Sequence, residues 1–275
     1  MRCLHTRGWK TPELSPGCTR VDHDRLGCTS KRQLYRILPS NSQMFDDCVC
    51  NEITALAVRC QRATPVPTKA AIRDYKLRFK RYARSFRKVA PLEYDEVIAT
   101  LPSTKRRLYR EARDSLMVCP PSRSDALVKA FVKAEKICGT SFDRGAHGGK
   151  AARPRLIQYR GPRFNLRVMR YFKAIEPLLY ADRGPRRGVP RTRIFAKGMN
   201  SRARANIILN KRAHFDKPVV LSIDMSSFDG SIRVHHLEAL HAFYLTLSPS
   251  KAFESDLAQR IHNYGWTKHG IKYTN

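Results

Sequence analysis

Two aspartates five residues apart, Asp224 and Asp229, follow the apolar and β-branched run Val219-Val220-Leu221-Ser222-Ile223. Such a run drives toward a buried strand and delivers Asp224 at its carboxyl end. Carboxylates are hard oxygen ligands suited to Mg²⁺. Two Mg²⁺ ions clamped between protein carboxylates and substrate phosphates support in-line phosphoryl transfer. An aspartate at a strand end is more commonly a turn former or a helix N-cap, so the pattern alone leaves both uses open.

The surroundings narrow the choice. The 275 residues carry 53 Lys and Arg against 23 Asp and Glu, a formal net charge of +30, and 42% of them are hydrophobic. That apolar content supports a real core in one large domain or two modest ones and excludes a disordered tail. The charge costs self-repulsion unless a polyanion is the partner: RNA, DNA or an anionic membrane surface. No apolar run approaches the roughly 20 residues that span a bilayer. The first residues, with Arg2, His5, Arg7 and Lys10, lack a signal peptide's apolar centre. The expectation is a soluble or peripheral protein that is not secreted by this route. Cys3, Cys18, Cys28, Cys48, Cys50 and Cys60 invite thought of zinc, but they form no Cys-x-x-Cys pair, and His5 and His23 are off finger spacing. They read as free thiols in a reducing compartment.

The elements that must position the aspartates come next. Residues 1–65 show little periodicity apart from a short helix around Asp47 to Arg62. The break Thr64-Pro65-Val66-Pro67-Thr68 leads into an amphipathic helix. Its apolar positions Ile72, Tyr75, Phe79, Tyr82, Phe86 and Val89 step by three and four, with basic residues on the other faces. Those faces are either solvated or in contact with RNA or membrane. Helices follow near Leu92–Ala99 and Thr104–Met117, and a helical or extended passage runs from Ser124 to Ile137. In the basic loop Gly139–Ala152, Gly148-Gly149-Lys150 fails as a phosphate loop, because Arg144 holds the upstream glycine position and Ala151 replaces the needed Ser or Thr. Ala152–Arg163 reads as a short strand studded with guanidinium groups, whose forks match phosphate oxygens. The helix Phe164–Tyr180 buries Phe164, Val168, Phe172, Ile175 and Leu179, while Arg163, Arg167, Arg170 and Lys173 line another side. A helix through Ile207, Ile208 and Leu209 precedes the Asp224 strand, and a further helix spans Ile232 to Leu247. The fold class expected is α/β, largely helical, with a few strands.

Three segments, in order, resemble the RNA-dependent RNA polymerases of the tombusvirus-like viruses. Phe131-Val132-Lys133-Ala134-Glu135-Lys136 and Arg153-Pro154-Arg155-Leu156-Ile157-Gln158-Tyr159-Arg160 are similar to the fingers motifs lining the nucleotide tunnel, motif F and the strand before it. Asp224-Met225-Ser226-Ser227-Phe228-Asp229 is similar to palm motif A. The likeness covers roughly Ala126 onward, less distinctly the helices from Lys69, and nothing before about Thr64.

The resemblance implies a partial right-hand polymerase of a positive-strand RNA virus: fingers plus the first palm strand, with an incomplete palm sheet. It implies 66–123 as a basic helical support, 124–215 as fingers and 216–275 as the start of the palm, with 1–65 unassigned. Asp224 would hold Mg²⁺ (or Mn²⁺), and Asp229 would sense the ribose 2′-hydroxyl. Lys133, Lys136, Arg153 and Arg155 would guide triphosphate and template, with Arg160, Arg163 and Lys197 as weaker candidates. The implied partners are the viral RNA template and nascent strand, ribonucleoside triphosphates, and a membrane-associated replication protein or a second polypeptide supplying the rest of the palm. The implied location is host cytoplasm, peripheral to membrane-associated replication sites. The family's motif B and its Gly-Asp-Asp motif C do not occur downstream of Asp224, so the chain is expected to be incomplete and inactive alone. A non-catalytic basic RNA-binding or capsid-like protein would explain the charge but not the acidic pair. A membrane-surface replication factor would rest on the Lys69–Lys88 helix.

Overall fold

The computed structural model describes residues 31–33, 43–57, 64–134, 153–184, 191–225, 228–261 and 263–274. The strands in chain order are β1 (Lys31–Gln33), β2 (Gln43–Phe45), β3 (Val128–Val132), β4 (Leu156–Arg160), β5 (Tyr264–Thr267) and β6 (Lys272–Thr274). The helices are α1 (Val49–Ala55), α2 (Lys69–Ala83), α3 (Tyr94–Ala99), α4 (Ser103–Val118), α5 (Pro162–Ala181), α6 (Ser201–Arg212), α7 (Phe228–Ser231), α8 (Val234–Leu247) and α9 (Lys251–Ala258). The mixed, mainly helical α/β class expected from the sequence is the one observed.

Thr68 ends the proline break by accepting the Ala71 amide at 3.2 Å, which starts α2. The aromatic stripe of α2 packs on α8. Phe243 stacks on Tyr82 and meets Phe79 and Phe86 edge-on, while the basic residues of α2 stay exposed. Pro162 at the first turn opens α5, where its missing N–H costs nothing. One side of α5 joins α8 and α9, with Tyr171 stacked on Phe253 at 4.0 Å and Ile175, Leu247 and Leu257 buried around them. Its other side carries Leu166 into a second cluster with Val97 and Ile98 of α3 and Ala112 of α4.

The sheet has the order β4-β3-β5-β6, with β3 antiparallel to β4 and parallel to β5. The passage from Ser124 resolves into a 3₁₀ turn at Arg123–Ala126 followed by β3, whose alternation buries Val128, Ala130 and Val132. Val49 and Leu56, on and just beyond α1, pack against Val128, Ala130, Ile271 and Tyr273, so a segment before Thr64 joins the sheet's core. Gly265 faces Tyr273 across β5 and β6. A Cβ there would lie 2.6 Å from the tyrosine ring, so only glycine lets that ring cross and donate to Gln158 Oε1 at 3.1 Å. Gly270 closes the β5–β6 turn at φ +86°, a conformation glycine adopts without strain.

The expected Asp224 strand is overturned. Residues 218–225 form no strand, and Val219, Val220, Leu221 and Ile223 are between 73% and 92% exposed. A strand needs a ladder to satisfy its N–H and C=O groups, and among the described residues nothing pairs with this one. Apolar composition makes burial favourable only where a second surface exists. The preceding α6 likewise buries no residue, leaving Ile208 and Leu209 more than half exposed.

His241 of α8 is buried, and its Nε2 has no partner among the described residues. Burial first, and then the neighbouring Arg260 charge, draw its pKa from 6.5 down to about 4. Between those two pH values the unfolded chain binds the proton and the folded chain does not. Stability is therefore complete above the unfolded value and falls as pH drops from 6.5 toward 4. The expected loss is on the order of 3 kcal/mol, and His241→Gln should flatten that part of a urea-midpoint profile taken against pH.

Candidate nucleic-acid interface

The Lys133 amide donates to the Arg155 carbonyl at 2.7 Å, carrying the β3–β4 ladder one residue past the Val132–Leu156 pair. Two of the basic residues singled out from sequence thus stand opposite each other at one end of this antiparallel pair. Strand alternation fixes what shares their face. Lys129 faces Tyr159 on one side and Trp266 on the other, and Phe131 faces Ile157. The rings of Phe131 and Tyr159 meet edge-on at 5.9 Å. With Asp47 and Lys268, Lys129, Phe131, Tyr159 and Trp266 line an open groove of about 220 Å³. Register places Lys272 opposite Trp266, and Tyr264 is 62% exposed on the same side.

This outer face combines aromatic rings with lysines, and each type has a use. Every base has a π-face that stacks on an aromatic side chain regardless of sequence, and ammonium groups follow the phosphates. The face is suited to a single strand of nucleic acid. Sequence reasoning singled out none of Lys129, Phe131, Tyr159, Tyr264, Trp266 and Lys272, although Phe131 and Tyr159 lie within the two segments it compared with the fingers motifs. The period-two pattern Val-Lys-Ala-Phe-Val was the available signal, but a five-residue run does not separate helix from strand.

The opposite face is differently built. Gln158 and Arg160 line a cleft of about 560 Å³ with Phe164, Phe172, Arg260 and Asn263. Arg160 donates to the Ala126 carbonyl and to Asn263 Oδ1, and it lies 4.8 Å over the Phe164 ring. Burial, and then the Arg260 charge, draw its pKa down to about 10, which leaves it charged at neutral pH. Arg160 is a strut joining the entries to β3 and β5.

The other weak candidates are also occupied. Arg163 grips Asp125 at 2.8 Å, Ser115 Oγ at 2.6 Å and the carbonyls of Cys119 and Pro120 at 3.0 and 3.1 Å. Lys197 donates to Glu176 at 2.7 Å and lies 5.5 Å from the Tyr180 ring centre. The Glu176 carboxylate, and then the neighbouring Tyr180, raise its pKa, so it stays an ammonium. Arg153 and Arg155 are exposed on either side of the buried Pro154. Lys136 lies outside the described residues.

Asp224 and Asp229 are both exposed, and neither carboxylate makes a hydrogen bond or ion pair among the described residues. Among the described residues no lysine or arginine competes for Asp224, so its hard oxygens fit the role of one Mg²⁺ ligand. Among the described residues, one group of side chains has the size and reach of a metal site: Asp47, Glu52 and His269. It contains no cysteine, and Cys3, Cys18, Cys28 and Cys60 lie outside the described residues.

Comparison with known proteins matches residues 46–274 to the family described as Viral RNA dependent RNA polymerase. The RNA-directed RNA polymerase of Groundnut rosette virus (strain MC1) is 35% identical over 68% of this chain and 22% of its own length. That of Tomato bushy stunt virus (strain Cherry) is 32% identical over 74% of the chain and 24% of its own. That of Tobacco necrosis virus (strain A) is 31% identical over 73% and 26%. The chain thus spans about a quarter of the length of the curated relatives it matches.

Proposed function

Because this chain belongs to the viral RNA dependent RNA polymerase family, we propose that it forms the fingers and motif A portion of a right-hand RNA-directed RNA polymerase from a positive-strand RNA virus. The observation that carries this reading is the family match over residues 46–274, which takes in Lys133, Arg153, Arg155 and the Asp224–Asp229 segment together. In this reading residues 66–123 support the fingers, 124–215 form them, and 216–275 begin the palm. The apolar stretch 218–225 finds its sheet partners in polymerase outside these residues. Relatives about three times as long have ample chain to supply them.

The template strand lies along the outer sheet face, its bases on Tyr159, Trp266 and Phe131. Lys133 and Arg155 meet the triphosphate where that antiparallel pair ends. Asp224 holds a metal ion and Asp229 senses the ribose 2′-hydroxyl. Bound Mg²⁺ supplies neutralisation of the charge that develops on the phosphates during transfer. A single carboxylate does not seat two such ions, so this segment acts only with the rest of a palm, in the same or a second polypeptide. Arg160, Arg163 and Lys197 take part only by leaving the partners they now hold. Among the described residues no helix is long and apolar enough to cross a membrane. The reading places the protein in host cytoplasm beside a membrane-associated replication protein. The capsid-like alternative gains nothing from the family match.

Binding of single-stranded RNA tests the tunnel assignment. Arg155→Ala should weaken affinity roughly tenfold, the worth of a charge-assisted fork on phosphate, and lower the salt slope by about one. Arg107→Ala, at a well-exposed arginine of α4, should cost less than about twofold at equal salt. Equal losses at the two positions would remove Arg155 from the nucleotide path.

A further inference from the structure

Glu52 of α1 is completely buried, and its Oε2 has no hydrogen-bond partner among the described residues. Its Oε1 meets Nδ1 of His269, at the β5–β6 turn, at 3.1 Å. Asp47, just before α1, stands beside them. Its Oδ1 accepts the Val132 amide at 3.0 Å and its Oδ2 accepts Lys268 Nζ at 3.0 Å. One ligand atom from each of Asp47, Glu52 and His269 lies within 4.8 Å of the other two. The three come from two parts of the chain that are distant in sequence.

A carboxylate sealed from water with one oxygen unsatisfied is among the costliest groups a fold can hold, and a second carboxylate beside it adds repulsion. Lys268 relieves only Asp47, from an exposed position. A divalent cation would relieve both acids at once. Two carboxylate oxygens and one imidazole nitrogen suit Zn²⁺ far better than Mg²⁺, which prefers oxygen and water alone. Ligands on a tetrahedral zinc lie about 3.3 Å apart, given metal–ligand distances near 2.0–2.1 Å. The Glu52–His269 pair is already close to that spacing, and the widest pair needs to close by roughly 1.5 Å.

We propose that Asp47, Glu52 and His269 bind one Zn²⁺ ion, with Lys268 as the competitor it displaces, and that the ion clips α1 to the β5–β6 turn. This site is separate from the Mg²⁺ role given to Asp224.

The test uses the whole 275-residue chain, stripped of metal by a chelator and titrated with ZnCl₂. One ion should bind, and at a hundredfold excess over Kd the melting temperature should rise by about 5 °C. MgCl₂ should not reproduce the rise. His269→Ala, at a partly exposed turn residue, should weaken zinc at least tenfold and abolish the shift. Lys268→Ala removes the competing ammonium and should tighten binding severalfold. A shift that survives in His269→Ala, or zinc binding that weakens in Lys268→Ala, overturns the proposal. So does Co²⁺ substitution giving an ultraviolet thiolate-to-metal band, which would put the ion on cysteines.

Discussion

Arg167→Ala should cost about 3 to 5 kcal/mol of folding stability, the range for removing one partner of a buried ion pair. Arg167 sits in the middle of α5, 9% exposed, and its guanidinium bonds the Asp256 carboxylate of α9, which is 2% exposed. A second nitrogen lies 3.6 Å from Asp125 in the 3₁₀ turn. Burial works against the charge on Asp125, yet the Arg163 fork, the Ser122 amide and Arg167 outweigh it and hold that carboxyl below its usual pKa. Three elements, α5, α9 and the turn that feeds β3, are thus joined through two arginines and two aspartates. Truncating Arg167 leaves Asp256 charged, enclosed and unpaired, which is worse than never having built the pair. The urea midpoint should drop accordingly, and the melting temperature by roughly 10 °C for a chain of this size. Arg167→Met with Asp256→Leu should lose far less than the two single changes summed, because the double variant strands no charge. Simple additivity would show that the pair is not coupled.

Arg167 also marks where local sequence stops being informative. The 3.6-residue stepping of Phe164, Val168, Phe172 and Ile175 made the helix and its buried side legible, as did the aromatic stripe of α2. Nothing local distinguishes Arg167 from Arg170 or Lys173, because the partner that turns it inward lies 89 residues away. Strand pairing is non-local in the same way. β3 finds β5 across more than a hundred residues, so the outer face of Lys129, Phe131, Tyr159 and Trp266 exists only once the sheet has assembled. The Lys133–Arg155 juxtaposition was readable as two motifs, while their direct opposition depended on ladder register. The Val219–Ile223 run shows the converse failure. Its composition names a buried strand, but burial belongs to two surfaces, and the described residues contain only one of them.

In a polymerase that contains this segment, Asp224→Asn should lower kcat/KM for nucleotide incorporation by at least about a thousandfold, roughly 4 kcal/mol of transition-state stabilisation. Asparagine keeps the shape and removes the charge, so it tests the ligand rather than the packing. The structure makes this variant unusually clean. Asp224 is exposed and touches no cation, cap or ladder among the described residues, so the substitution should move the melting temperature of the 275-residue chain negligibly, within about ±0.5 kcal/mol of stability. RNA affinity should hold or rise slightly, since a negative charge has left a chain of net charge +30. Asp229→Asn should instead narrow the preference for ribonucleotides over deoxyribonucleotides, because it loses an acceptor for the 2′-hydroxyl. A structural aspartate would show the reverse pattern, with stability lost and chemistry spared. Activity within tenfold of the parent after Asp224→Asn would therefore remove the metal-ligand role, and with it the physical reason for an acidic pair in so basic a protein.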